Sequence, residues 1–93
     1  MKYDVQFTNQ FKKDIKKITK QGLDIEKLHK VIDVLQKQEK LPAQYRDHLL
    51  VNSRNYKNMR ECHIETDWLL IYKIYDDAMI LVAVRTGSHS ELF

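Results

Sequence analysis

Cysteine, proline and glycine are almost missing from this 93-residue sequence, which holds one Cys, one Pro and two Gly. With Cys62 alone, no intramolecular disulfide can form, and the thiol reads as a small core side chain. Two isolated glycines, Gly22 and Gly87, cannot build a Gly-rich phosphate loop. There is no HxxxH or CxxC pair, and His48, His63 and His89 are widely spaced, so neither a zinc site nor any other metal or cofactor is expected. No apolar run approaches the roughly 20 residues needed to cross a bilayer. The opening MKYDVQF alternates polar with apolar residues and lacks the core of a signal peptide. These absences point to a soluble, cytoplasmic protein with no membrane partner.

What is present suffices for one domain over residues 1–93. A hydrophobic content of 43% supplies a single core but not a large enclosed cavity, so any active site should be an open cleft. Sixteen Lys and Arg against 13 Asp and Glu give a net charge of +3, which suits a polyanionic partner and equally an ordinary solvated surface. Tyr3, Val5 and Phe7 alternate with polar residues and predict a half-buried strand. Thr8 then caps a helix with Phe11, Ile15 and Ile18 on its apolar side and Lys12, Lys13, Lys16, Lys17 and Lys20 elsewhere, ended by Gly22. Asp24 opens a second helix through Leu28, Val31, Ile32 and Leu35, and Pro42 closes the helical region. After a long polar loop over 41–58 come strands at 59–64, 68–75 and 79–86, the last two joined at Asp76-Asp77. The expected class is α+β, an antiparallel sheet with two N-terminal helices packed on it in the order β-α-α-β-β-β.

In such a meander the end of the first strand, the start of the second and the end of the third share one edge. That edge gathers His63, Asp67, Arg85, His89 and Phe93, and His48 can join from the preceding loop. RNA is cut without a metal when a base activates its 2′-hydroxyl against the adjacent phosphorus, an acid protonates the departing 5′-oxygen and a cation holds the phosphate. Histidine suits the proton transfers, Asp67 can orient a histidine or act as base, and Arg85 can fork onto the phosphate. Phe93 can stack on a base. The five lysines of the first helix can grip phosphates, and Trp68, heading an apolar strand, can add contact at the site edge. Each residue also has a plainer reading. Lysine faces are most often solvated, strand-end histidines structural, Asp67 a turn cap, Phe93 a plug and Trp68 packing. It is the convergence that carries weight.

The stretches RECHI (60–64), DWLLIYKI (67–74) and RTGSHSELF (85–93), with YRDHLL (45–50), closely resemble the YafQ family of bacterial toxins within the RelE/ParE superfamily. The resemblance implies a RelE-like fold and a ribosome-dependent, metal-independent mRNA endonuclease that stops translation. By matching motif it implies proton transfer or its organisation by His48, His63, Asp67 and His89, charge stabilisation by Arg85 and RNA orientation by Phe93. It implies a DinJ-like antitoxin as partner, with ribosome and mRNA as targets and operator DNA bound only through the antitoxin complex. Family members often carry a G-x-W-x-G stretch where this chain has NSRNYKN at 52–58. Asn52 and Asn58 can supply left-handed conformations there and Tyr56 can replace the tryptophan. Two other readings of the scaffold are a ParE-like toxin that poisons DNA gyrase without cutting RNA, and an inactive regulator that works in a complex with DNA.

Overall fold

Both long helices begin where the sequence supplies a cap. The Thr8 hydroxyl accepts from the Phe11 amide at 2.9 Å and the Asp24 carboxylate from the Glu26 amide at 3.1 Å, each satisfying a backbone donor with no intrahelical partner. The computed structural model describes residues 2–93; Met1, the first residue of the expected domain, lies outside the described residues. The elements are β1 (Asp4–Phe7), α1 (Asn9–Lys20), α2 (Ile25–Gln36), a 3-10 turn (Ala43–Tyr45), β2 (His48–Leu49), β3 (Arg60–Glu65), β4 (Trp68–Tyr75), β5 (Ile80–Gly87) and α3 (His89–Leu92). The α+β class is as expected. The 3-10 turn and the very short β2 lie inside the polar loop, and the C-terminal α3, made from the tail, is an addition.

The five strands form one sheet in the order β1-β5-β4-β3-β2. Strands β2 to β5 are antiparallel neighbours, but β1 runs parallel to β5, with Asp4 opposite Ile80 and Phe7 opposite Ala83. The expectation of a wholly antiparallel sheet is thus corrected to a mixed one. The α1–α2 pair serves as part of the long crossover that a parallel pairing requires. The meander, begun at the far edge, then returns to place β5 beside β1.

The two faces of β4 explain its continuous apolar run. Trp68, Leu70 and Tyr72 face the helices and join Phe11, Ile18, Leu28, Val31, Leu35, Cys62, Leu81 and Ala83 in the main core. Leu69 and Ile71 face the other way, against Tyr56, Leu92, Leu50, Met59 and Val84. Each fully buried aliphatic or aromatic side chain stabilises the fold by about 1.5–3 kcal/mol. The second face is covered by the loop after β2 and by α3, and that loop turns through Asn52 (φ 58°) and Asn58 (φ 63°), both left-handed.

Two irregularities aim the functional groups. In β5, Arg85 lies opposite Ile71 while Ala83 lies opposite Tyr72, so Val84 is an inserted residue and Arg85 returns to the face of Ile71. In β3 a second shift falls between His63 and Glu65. Strand β1 ends opposite Ala83, and beyond it α1 takes over the exposed edge of β5. The Thr8 hydroxyl donates to the Val84 carbonyl at 2.7 Å, and Asp14 accepts the Thr86 amide at 3.2 Å.

Candidate active site

Alternation along β3 places Glu61 and His63 on the face away from α1 and α2, opposite Ile71 and Leu69. His48 lies opposite Glu61 on β2. Glu61, only 4% exposed, holds Oε1 at 3.3 Å from His63 Nε2 and 3.6 Å from His48 Nε2. A single buried carboxylate oxygen therefore stands between two imidazoles. His48 Nδ1 lies 2.6 Å from the Arg46 carbonyl. A carbonyl can only accept, so Nδ1 carries the proton of that bond and Nε2 faces Glu61.

The tail reaches the same face as a short helix. Ser88 and Glu91 form a capping box, and Lys17 of α1 clamps the other Glu91 oxygen at 2.5 Å. Lys17 first, with Ser88 assisting, pulls the Glu91 carboxyl down to about 2. Gly87 (φ 155°) permits the close docking, because a Cβ there would stand 3.2 Å from Glu91 Oε1. The Asp67 carboxylate accepts the backbone amide of His89 at 3.0 Å and lies 3.5 Å from its Nδ1. The His89 ring is 5.8 Å from that of His63 and 5.9 Å from Phe93, which meets Tyr56 edge-on at 5.3 Å. Tyr56, itself buried, anchors the tail by donating to the Leu92 carbonyl at 2.7 Å.

Arg85 completes the arc. Its Nε and Nη2 donate to the Asp14 carboxylate at 3.1 and 2.9 Å. These bonds above all, with Tyr56 nearby, raise its pKa above the ordinary guanidinium value. Asp14 is 5% exposed and also receives Gln10 and the Thr86 amide, so α1 fixes where the arginine points. The structure thus brings His48, His63, Asp67, Arg85, His89 and Phe93 onto one open face, and adds Glu61, Tyr56 and Asp14. Sequence alternation alone could have flagged Glu61, two residues before His63 on the same side of its strand. For Asp14 there was no local signal beyond one acid among the α1 lysines.

Trp68 corrects the expectation of an RNA contact. It is 2% exposed, on the helix side of β4, and its indole donates to Thr86 Oγ1 at 2.9 Å, so it is a core residue. Lys12, Lys13, Lys16, Lys17 and Lys20 are exposed as expected, though Lys17 is engaged by Glu91. A mainly apolar concavity of about 470 Å³ lies between α1 and α2, with His29 at its lining and on the opposite side of the sheet from His48, His63 and His89. Cys62 is fully buried in the main core and burial pushes its thiol pKa up, which keeps it an unreactive packing group. Among the described residues no group of three or more His, Cys, Asp or Glu is arranged to hold a metal ion, and no helix is long and apolar enough to cross a membrane.

A mixed sheet backed by two helices, with histidines and carboxylates on its open face and a tail folded onto them, defines a small RelE-like toxin. The profile of the family described as bacterial toxin of type II toxin-antitoxin system, YafQ, matches residues 3–93. The mRNA interferase toxin YafQ of Escherichia coli (strain B / BL21-DE3) is 41% identical over 91 residues, covering 97% of this chain and 95% of that protein. A metal-bound toxin from Helicobacter pylori superposes with a TM-score of 0.89 at 40% identity over the whole of both chains. The E. coli DinJ-YafQ toxin-antitoxin complex aligns with a TM-score of 0.87 at 37% identity, over 100% of this chain and 99% of that one. This chain belongs to the YafQ family of bacterial toxins.

Proposed function

We infer that the protein is the toxin of a type II toxin–antitoxin pair, an mRNA interferase that cuts messenger RNA on the ribosome and so stops translation. The observation that carries this reading is the continuous arc His48, Glu61, His63, His89, Phe93, Tyr56 and Arg85 on one open face. It offers two imidazole stations, one backed by Glu61 and one by Asp67, with a fixed cation and an exposed aromatic ring beside them. One station takes the 2′-hydroxyl proton as its oxygen attacks the neighbouring phosphorus. The other protonates the 5′-oxygen as the P–O5′ bond breaks, leaving a 2′,3′-cyclic phosphate and a free 5′-hydroxyl. The rigid Arg85 offsets charge on the phosphoryl oxygens without needing to reorganise, and Phe93 stacks on a base. No step draws on a metal.

The partner is a DinJ-like antitoxin, in keeping with the E. coli relative captured with DinJ, and operator DNA is engaged only through that complex. The α1 lysines steer the toxin to the ribosome and its mRNA, and the protein acts in the cytoplasm.

The test incubates a defined messenger RNA with purified toxin, with and without programmed ribosomes, before and after EDTA treatment, and maps the new 5′ ends. Cleavage only with ribosomes, undiminished by EDTA and lost in His89→Ala, is the expected result. His89 is the better variant, because Arg85→Ala would strand the buried Asp14 charge. Intact RNA from a folded, growth-arresting preparation would favour the gyrase-poisoning reading instead.

A further inference from the structure

A polar pocket of about 290 Å³ opens at the end of the arc described above and shares His63 with it. Its origin is topological. Strand β2 pairs with β3 only at Arg60 and Glu61, so the edge of β3 from His63 onward has no strand neighbour. The chain preceding β2 stands off that edge, because Arg46 adopts a left-handed conformation (φ 50°) after the 3-10 turn. Gln44, Tyr45 and Arg46 thus form one wall, and the chain from His63 to Thr66 the other. The size lies at the small end of ligand pockets, about 300–1,000 Å³, and suits one nucleotide better than a run of them.

We propose that this pocket is the subsite for a nucleobase flanking the scissile phosphate, and that it prefers a base with an exocyclic amino group over uracil. The proposal rests on the RNA-cutting reading above. Arg46 is exposed, makes no ion pair among the described residues, and can take the phosphate or ribose side of the bound nucleotide. Its carbonyl meanwhile holds His48, so the residue that walls the pocket also sets the geometry of the proton-transfer face. Tyr45, half-buried, offers a flat wall for the base. Glu65 supplies the discrimination. One of its oxygens is bound to Lys27 at 2.9 Å, leaving the second for the pocket. A carboxylate only accepts hydrogen bonds. Adenine, cytosine and guanine each present an amino group to it, whereas uracil presents two carbonyl oxygens about a single N–H. The Gln44 amide can donate and accept beside it and complete the readout.

The experiment uses full-length toxin on programmed ribosomes with messages identical except at the positions flanking the wild-type cut, and compares single-turnover rates. At one flanking position, wild type is expected to cut A, C or G messages about tenfold faster than U messages. In Glu65→Gln the ratio should collapse toward one, because an amide can donate to uracil O4; Gln44→Ala should shrink it as well. Lys27→Met breaks the Glu65 ion pair without removing the carboxylate and should keep the preference. All three positions are exposed, so melting temperatures near wild type are expected. Equal rates for all four nucleotides at every flanking position would overturn the subsite. A preference unchanged in Glu65→Gln, or one lost equally in Lys27→Met, would do the same. No cleavage of any message by wild type would overturn the nuclease reading itself.

Discussion

Replacing Asp14 with alanine removes the buried acceptor that holds Arg85, the Thr86 amide and Gln10 together at the edge of β5. Breaking one side of a buried ion pair typically costs about 3–5 kcal/mol. The Arg85 side chain is 25% exposed and regains some water in the variant, which reduces the expected cost to about 2–3 kcal/mol. For a domain of this size each kcal/mol shifts the midpoint by about 4–8 °C, so the melting temperature should fall by roughly 10–20 °C. Thermal and urea unfolding followed by the fluorescence of buried Trp68, bonded to Thr86 next to this pair, reads it directly. Cleavage should fall further than stability alone accounts for when assayed well below the midpoint, because Arg85 loses its fixed position. The double variant Asp14→Ala/Arg85→Met should recover part of the lost stability, since no uncompensated charge remains, although it stays inactive. A melting shift of only a degree or two, or strict additivity of the two substitutions, would refute the claim that α1 and β5 are locked through this pair.

Three other outcomes follow from the same geometry. Glu61→Ala frees His48 and His63 from their shared oxygen, and a misplacement of about 1 Å can cost about 10²-fold in rate; kcat on programmed ribosomes should drop by that order with KM little changed, and an unaltered kcat would remove Glu61 from the site. Because Lys17 and Ser88 pull the Glu91 carboxyl down from 4.5 to about 2, its contribution to holding α3 is complete above pH 4.5 and disappears as pH falls toward 2. Amide hydrogen exchange at residues 89–93 should therefore speed up over that window beyond its intrinsic pH dependence, and Glu91→Gln should show fast exchange without this extra pH response. Cys62, fully buried with its thiol pKa pushed up by desolvation, should react with a thiol reagent only as fast as the protein unfolds, and prompt labelling of the native protein would contradict its place in the core.

Features legible in the sequence rest on short-range interactions, and those that are not rest on long-range ones. Thr8 and Asp24 announced their helices because a cap acts within three residues. The apolar run of β4 announced a central strand, because burial on both faces needs no alternation. The left-handed turns at Asn52 and Asn58 were legible for the same local reason. The candidate histidines could be placed near one another from strand order alone. What the sequence could not show depends on partners far along the chain. Parallel pairing of β1 with β5 joins residues some 76 positions apart, as Asp4 to Ile80 illustrates. The inserted Val84 interrupts the period of two and turns Arg85 toward Ile71, a shift that no alternation rule predicts. Asp14 gains its buried role only because α1 lies along β5, and Trp68, expected at the site edge, is turned inward by the sheet. Local spacing determined the elements of this protein and the kinds of chemistry they carry. Only tertiary packing, which brings together groups that the chain itself keeps apart, decided which of them share a face.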